Sequence, residues 1–347
     1  MATIRDVAKL AGVSTATVSH VINESRYVSD ELKKRVYEAM DELDYQLNLL
    51  ASGLRGGETK TIGLIIPDIS NQFFSEISRR IEDNGLKYGY SLIICNTDDD
   101  DKKEKRYIDI LLSKQVDGLI FISAGDETDS LIKPISKGIP IVVADRFIEK
   151  PNINTVTVDN FNGGYQATKY LLDLGHKRIG LISGPETVLS SYDRCEGYKK
   201  GLLDAHLPVD SSIIAHGDFR YQSGVKAMEK LLKADAPRPT AVFSCNDMMA
   251  LGAIRAANDH GLKIPEDISI VGFDDIPLAK SSSPPLTTVA QPTNEMAIHI
   301  IELLVDMIEY SGGRRSLHKE EYNYKKIVLN TMLIERESCM KYDQIQR

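Results

Sequence analysis

Nine residues with planar polar or aromatic side chains recur at one kind of place in this chain, just after an apolar run. Asn71, Phe73 and Phe74 follow TIGLII (61–66), and Asp145 and Arg146 follow IPIVVA (139–144). Arg194 lies beyond RIGLIS (178–183) at a predicted helix start. Asn246 follows the run 240–245, Asp274 follows ISIVGF (268–273), and Gln291 follows 287–290. Carboxylates, carboxamides and guanidinium groups can each bond two adjacent hydroxyls, and aromatic faces cover C–H surface, so the set suits a monosaccharide. Singly, each has a plainer explanation: Asp145 or Asp274 capping a helix, Asn246 in a turn, Phe74 in the core. Together they fall at equivalent ends of successive strands, where open parallel sheets bind ligands. Asp145, Arg146 and Asn246 together favour a polyol over a purine.

A second constellation lies at the start of the chain, in TIRDVAKLAGVSTATVSHVIN (3–23). Thr3 with Asp6 makes a short capping box, and Ile4, Val7, Ala8 and Ala11 form one helical stripe. Gly12 supplies a left-handed stop. Ser14 caps a second helix that turns Val18, Val21 and Ile22 inward, leaving Thr15, Ala16, Ser19, His20 and Asn23 outside. Two short helices about a tight turn, the second with a small polar outer face, describe a helix-turn-helix. Ser29, as N-cap, opens a third helix that runs to about Tyr45, with Leu32, Val36, Met40 and Leu43 inward.

Chemistry of other kinds finds little footing. There is no Walker loop, no G-x-S-x-G elbow, no H-E-x-x-H and no C-x-x-C, which argues against an enzyme, a metal site or a cofactor. The acidic start and basic continuation of TDDDDKKEKR (97–106) suit a solvated helix N-terminus. Four dispersed cysteines, no apolar leader and no long apolar run fit a reduced cytoplasmic protein with no membrane segment. The net charge of −8 does not advertise nucleic-acid binding. Residues 1–35 hold six Lys/Arg against four acids, so that reading rests on motif geometry rather than bulk charge.

The elements that must position these groups change character at Thr61. Before it lies a small helical unit (1–46), then a linker (47–60, QLNLLASGLRGGETK from Gln46) interrupted by Gly56-Gly57. After it, apolar runs alternate with amphipathic stretches at about 72–88, 102–114, 163–174, 192–205, 221–233, 247–260 and 292–310. That alternation predicts parallel sheets covered on both faces.

IRDVAKLAGVSTATVSHVIN, followed by Arg26, Tyr27 and Val28, closely resembles the headpiece of the lactose-repressor (LacI/GalR) family of bacterial transcription regulators. The likeness continues through GFDDIP (272–277), PPLTTVAQP (284–292) and LIERES (333–338). It implies a small all-α helix-turn-helix headpiece plus an α/β core of two parallel-sheet subdomains, similar to periplasmic sugar-binding proteins. The subdomains would comprise about 61–159 with 291–322, and about 160–290 with 323–347. Residues 47–60 would form a hinge helix whose Leu54 wedges into the minor groove, with Arg55 partly compensating for Ser52 where the family usually has Arg. Leu47 likewise stands where the family usually has Pro. In sugar-responsive members the residues matching Asp145, Arg194, Asn246, Asp274 and Gln291 bind the effector, and Asn-x-Phe-Phe with Asp-Arg is similar to the ribose-type pocket.

The resulting expectation is a homodimeric repressor on double-stranded palindromic operator DNA, controlled by a small sugar and without tetramer-forming heptads. Thr15, Ala16 and His20 would face base edges and Arg26 a base or phosphate, while Thr17, Ser19 and the Thr3 helix start would hold the backbone. The alternatives are a global regulator whose co-regulator is a phosphocarrier protein, and a sugar-binding module without DNA function.

Overall fold

The computed structural model describes residues 2–22, 26–45, 58–122, 129–145, 152–233, 237–312 and 322–344. These form two compact units, Met1–Thr59 and Lys60–Arg347.

In the first unit, α1 (Ile4–Ala11), α2 (Thr15–Ile22) and α3 (Asp30–Glu42) enclose a core of Val7, Ala8, Ala11, Val18, Val21, Val28, Val36 and Ala39. The local signals act as their chemistry demands. The capping box forms: Asp6 N–H donates to Thr3 Oγ1, and Thr3 N–H donates to Asp6 Oδ2 at 2.8 Å. Gly12 ends α1 at φ 66°, a conformation that a Cβ disfavours. Arg35 then ties α3 to that end by donating from Nη2 to the Ala11 carbonyl at 2.5 Å. Ser14 Oγ accepts from Thr17 N–H at 3.0 Å and so starts α2. Two expectations shift. Ser29 holds the N-cap position of α3 but makes no side-chain cap bond. That helix stops at Glu42, ahead of a positive φ of 43° at Asp44.

The second unit contains two six-stranded sheets. The first is built from β1 (Thr61–Ile66), β2 (Ser91–Asn96), β3 (Gly118–Ile122), β4 (Ile141–Ala144), β5 (Asn154–Val158) and β11 (Lys326–Leu329), in the order β11-β5-β4-β3-β1-β2. The second takes β6 (Ile179–Ser183), β7 (Ile214–His216), β8 (Ala241–Ser244), β9 (Ser269–Asp274), β10 (Thr287–Ala290) and β12 (Met332–Ile334), in the order β12-β10-β9-β8-β6-β7. All ladders are parallel except β10–β12. The central strands are buried along their length because helices cover both faces.

The helices in chain order are α4 (Gln72–Lys87), α5 (Asp101–Ser113), α6 (Asp129–Ser136), α7 (Asn160–Asp173), α8 (Leu189–Asp204), α9 (Tyr221–Lys233), α10 (Asp247–Asp259), α11 (Pro277–Ser281) and α12 (Thr293–Tyr310). The chain leaves the first sheet after β5, returns after β10 through α12, and crosses a last time between β11 and β12. That last crossing corrects the expected division at 322/323, because Lys326–Leu329 pairs in parallel register with β5. KIVLNTMLI looks like a continuous stretch, yet Asn330-Thr331 splits it between the sheets.

Candidate functional site

Between the two sheets lies a cavity of about 280 Å³. Eight of the nine residues singled out by their position after apolar runs line it: Asn71, Phe73, Phe74, Asp145, Arg194, Asn246, Asp274 and Gln291. The ninth, Arg146, lies outside the described residues. Their common origin is geometric, since each ends or follows a strand, or lies in the first two turns of the next helix, at the carboxyl ends of the sheets.

Some of these side chains also serve their own helices. Asn71 caps α4, its Oδ1 accepting from Phe73 N–H at 3.1 Å. Asn246 caps α10 by accepting from Met249 N–H at 2.9 Å, while its Nδ2 donates to the Phe219 carbonyl at 2.9 Å. Phe73 is mostly core, and Phe74 stands edge-to-face against it at 5.2 Å. Among the described residues, no helix is capped by Asp145 or Asp274.

Arg194 is the best-held group of the set. It falls in the second turn of α8 rather than at its start, because that helix begins at Leu189. Its Nε donates to Asn160 Oδ1 at 2.8 Å, its Nη1 to the Cys245 carbonyl at 2.6 Å, and the guanidinium lies 3.7 Å from the Phe273 ring centre. A planar fork meets all three constraints at once, which an ammonium does not. The helix crossing beneath it is close: a Cβ at Gly164 would stand 2.2 Å from the Arg194 carbonyl oxygen.

Two acids share the cavity with this cation. Asp274 Oδ1 sits 3.6 Å from Arg194 Nη1 and accepts from Gln291 Nε2 at 2.8 Å. Burial nevertheless outweighs Arg194 and raises the Asp274 carboxyl above its ordinary value. Burial likewise pushes Asp145 up to about 6, with Arg194 pulling the other way. Among the described residues, Asp145 Oδ1 and Gln291 Oε1 are buried without a hydrogen-bond partner. The backbone here is strained, with φ of 63° at Asp145 and of 114° and 58° at Asp274 and Asp275.

A neighbouring acid, Asp247, supports this corner without lining the cavity. It accepts from Thr288 Oγ1 at 2.6 Å and from Ile276 N–H at 3.0 Å, and a Cβ at Gly272 would stand 2.1 Å from its Oδ1.

Several lining residues were absent from the sequence reading. Phe219, at φ 65°, contributes a second aromatic face next to Gly184. Arg220 bridges the two halves, with Nε 3.2 Å from Asp68 Oδ2 and Nη2 3.6 Å from Asp99 Oδ2. Burial opposes ionisation of Asp68, but hydrogen bonds from Ser70 and Arg220 prevail and lower its value. Phe219 and Arg220 follow β7, the one strand of the second sheet's parallel set that was not anticipated; its three residues include one buried side chain, Ala215.

In the helical unit, Thr15 and Ala16 are exposed on α2, Thr17, Ser19 and His20 are half-buried, and Arg26 is exposed. Thr17 Oγ1 lies 2.9 Å from Ser14 Oγ, and Thr3 Oγ1 donates to Asp6 at 2.6 Å, so both hydroxyls already work within their caps. Leu54, Arg55, Leu47, Ser52 and Asn23 lie outside the described residues.

Both halves of this arrangement have relatives. Residues 59–327 match the model of periplasmic binding proteins and sugar binding domain of LacI family, and residues 3–48 match bacterial regulatory proteins, lacI family. The chain belongs to the LacI family. The HTH-type transcriptional repressor PurR of Pasteurella multocida (strain Pm70) is 41% identical over 318 residues, covering 91% of this chain and 95% of the relative. The lac repressor dimer bound to operator and the anti-inducer ONPF is 28% identical with a TM-score of 0.84, covering 98% of this chain and 99% of that one. A LacI family transcriptional regulator from Enterococcus faecium with bound ribose is 33% identical with a TM-score of 0.72, covering 81% and 99%. This LacI-family chain is a transcriptional repressor with a DNA-binding and a ligand-binding domain, not an enzyme. No helix among the described residues is long and apolar enough to cross a membrane.

Proposed function

We propose that this repressor acts in the cytoplasm as a homodimer on a palindromic operator, and that its effector is a neutral, unphosphorylated monosaccharide of the ribose kind. One observation carries the effector reading: two buried acceptors that find no donor among the described residues, Asp145 Oδ1 and Gln291 Oε1, belong to the wall of a cavity flanked by Phe74 and Phe219. Each such group costs about 1–3 kcal/mol until it is satisfied. Sugar hydroxyls donate to both while C–H faces meet the rings. The wall also favours an uncharged ligand. Its described residues carry five carboxyl groups (Asp68, Asp99, Asp145, Asp218, Asp274), of which burial raises Asp99, Asp145 and Asp274, and two guanidinium groups, Arg194 and Arg220, both already engaged with protein oxygens. A phosphate group would enter a field of its own sign. The ribose-bound Enterococcus relative supports the same class.

A second reading has a specific support. The Pasteurella relative carries the name PurR, which suggests a purine-type effector, against the preference for a polyol read from Asp145, Arg146 and Asn246. Purine N–H groups also satisfy acceptors, and a flat ring also packs on phenyl faces. A thermal-shift and calorimetry panel of free pentoses and hexoses, their phosphates and purine bases separates the two. A free sugar that stabilises wild type and loses affinity in Asp274→Ala supports the first reading. Stabilisation by a purine base and by no sugar overturns it.

On DNA, α2 of each headpiece lies in the major groove with Thr15, Ala16 and His20 at base edges and Arg26 at a base or phosphate. Thr3, Thr17 and Ser19 hold phosphates, and Leu54 wedges into the minor groove beside Arg55. The lac repressor dimer on its operator supports this mode. Selection of bound sequences from a random pool is expected to return a palindrome, and His20→Ala to alter preference at one or two positions. The phosphocarrier-controlled alternative has no support among these relatives, and the headpiece match speaks against a module without DNA function.

A further inference from the structure

Two of the four cysteines meet beside the cavity wall. Cys195, half-buried on α8, and Cys245, fully buried just after β8, hold their sulfurs 3.9 Å apart across a sequence separation of 50 residues. Each adjoins a group that lines the cavity: Cys195 follows Arg194, and Cys245 precedes Asn246. The link is closer still, because Arg194 Nη1 donates to the Cys245 carbonyl at 2.6 Å. The structure assigns Cys195 and Cys245 as a disulfide-forming pair, a covalent modification site through which a hydroperoxide alters the ligand cavity.

The surroundings separate the two roles. The Cys195 thiol is held below its ordinary value, first by the hydrogen bond with Cys245 and then, against burial, by Lys199, Ser191 and Arg194. Burial pushes the Cys245 thiol up. Because the thiolate is the nucleophile, Cys195 attacks and Cys245 resolves.

In the first step the Cys195 sulfur takes the terminal oxygen of a hydroperoxide, ROOH. The O–O bond breaks, the alcohol ROH leaves with the thiol's proton, and a sulfenic acid remains. In the second step the Cys245 sulfur attacks the sulfenic sulfur. The S–O bond breaks, water leaves with the Cys245 proton, and the S–S bond forms. Two thiols together lose two electrons, and one hydroperoxide is reduced to alcohol and water.

A disulfide requires about 2.05 Å between sulfurs, so the pair must close by about 2 Å. Arg194 and Asn246 stand next to the two ends of that movement, and the change reaches the cavity whichever ligand it takes. Transient bonds of this kind are the usual form of disulfide in reducing compartments. Cys95 and Cys339, whose thiols burial also raises, the latter to about 12, serve as internal references.

The test treats the folded full chain with hydrogen peroxide and maps its peptides without reduction. The expected product is an intramolecular Cys195–Cys245 cross-link with a loss of about 2 Da, reversed by dithiothreitol. It persists when Cys95 and Cys339 are both changed to Ser. In Cys245→Ser a sulfenic acid accumulates on Cys195 and is trapped by dimedone, whereas Cys195→Ser gives neither product. Amide hydrogen exchange is expected to change in the peptides bearing Arg194 and Asn246 when the bond forms. Absence of the 195–245 cross-link in oxidised wild type, or oxidation of Cys95 or Cys339 in preference, overturns the assignment. A cross-link that leaves exchange in both peptides unchanged overturns its coupling to the cavity. The wild-type map needs no variant to fold.

Discussion

Asp145 holds a carboxyl group in a left-handed backbone position where burial raises its value to about 6. A proton bound more tightly in the folded than the unfolded state stabilises the fold most below the ordinary carboxylate value near 4. That contribution is lost as pH rises through about 6. Asparagine tolerates the same backbone conformation and does not ionise. Asp145→Asn is therefore expected to raise the melting temperature at about pH 8, by on the order of 2 kcal/mol in stability, and to change little at about pH 4. Melts of the two proteins across that range check the sign, and an equal shift at both ends would assign the effect to packing instead. Arg194 gives the opposite case, where charge matters less than shape. Arg194→Lys keeps the cation but offers no second fork nitrogen for Asn160 Oδ1 and the Cys245 carbonyl, and no flat face for Phe273. A loss of about 2–3 kcal/mol in stability is expected, from a buried donor set left incomplete, and chemical denaturation measures it.

Elements position these residues through close contacts that a side chain more would spoil. At the α7–α8 crossing, an added Cβ on Gly164 would reach within 2.2 Å of the Arg194 backbone oxygen, and rigid main chain gives way less readily than a side-chain tip. Gly164→Ala is expected to cost about 1–3 kcal/mol and to weaken effector binding by displacing Arg194, both readable from denaturation and calorimetry on one preparation. This scale also explains what the sequence made legible. TIGLII, IPIVVA and ISIVGF stand out because strands covered on both faces need unbroken apolar runs. Asn71, Asp145, Asn246, Asp274 and Gln291 could then be found by looking just past each run. The headpiece was legible for a related reason: Thr3, Gly12 and Ser14 punctuate helices by local hydrogen bonding, which no distant contact overrides. What escaped lacked such local marks. β7 buries only Ala215 among its three residues, so the loop carrying Phe219 and Arg220 had no run to announce it. Asp247 acts through Thr288 and the backbone of Ile276, partners distant in sequence, so nothing near it distinguishes a buried structural acid from a helix-start Asp. The run KIVLNTMLI conceals a change of sheet for the same reason.

Among the described residues, three chain crossings join the two halves of the ligand-binding unit, and closure of one sheet on the other is the motion that so few connections would permit. Arg220 spans that interface from the second half to Asp68 and Asp99 of the first, and Leu278 N–H adds a bond to Gln72 Oε1 at 3.1 Å. The Arg220 side chain is 49% exposed against 16% for Asp68, so the bridge deserves the discount of a surface pair, about 0.2–1 kcal/mol. That is small for folding yet sufficient for a two-state closure, where about 1 kcal/mol moves the ratio of closed to open forms about fivefold. Arg220→Gln is expected to weaken effector binding by up to about fivefold while leaving the melting temperature nearly unchanged. Wild type should lose the same affinity as salt rises from about 0.05 to 0.5 M, because a partly exposed pair is screened over a Debye length of some ångströms. The variant should then show a much flatter salt response. Calorimetric titrations of both proteins at the two salt levels, with scattering measurements of the radius of gyration, test the point directly. Equal affinities at low salt would remove Arg220 from the closing motion and leave that task to the ligand's own contacts. A variant that loses both affinity and its salt dependence instead places one charged bridge in control of how readily the effector closes the cavity. By linkage, the same bridge then governs how strongly the effector is felt at the operator.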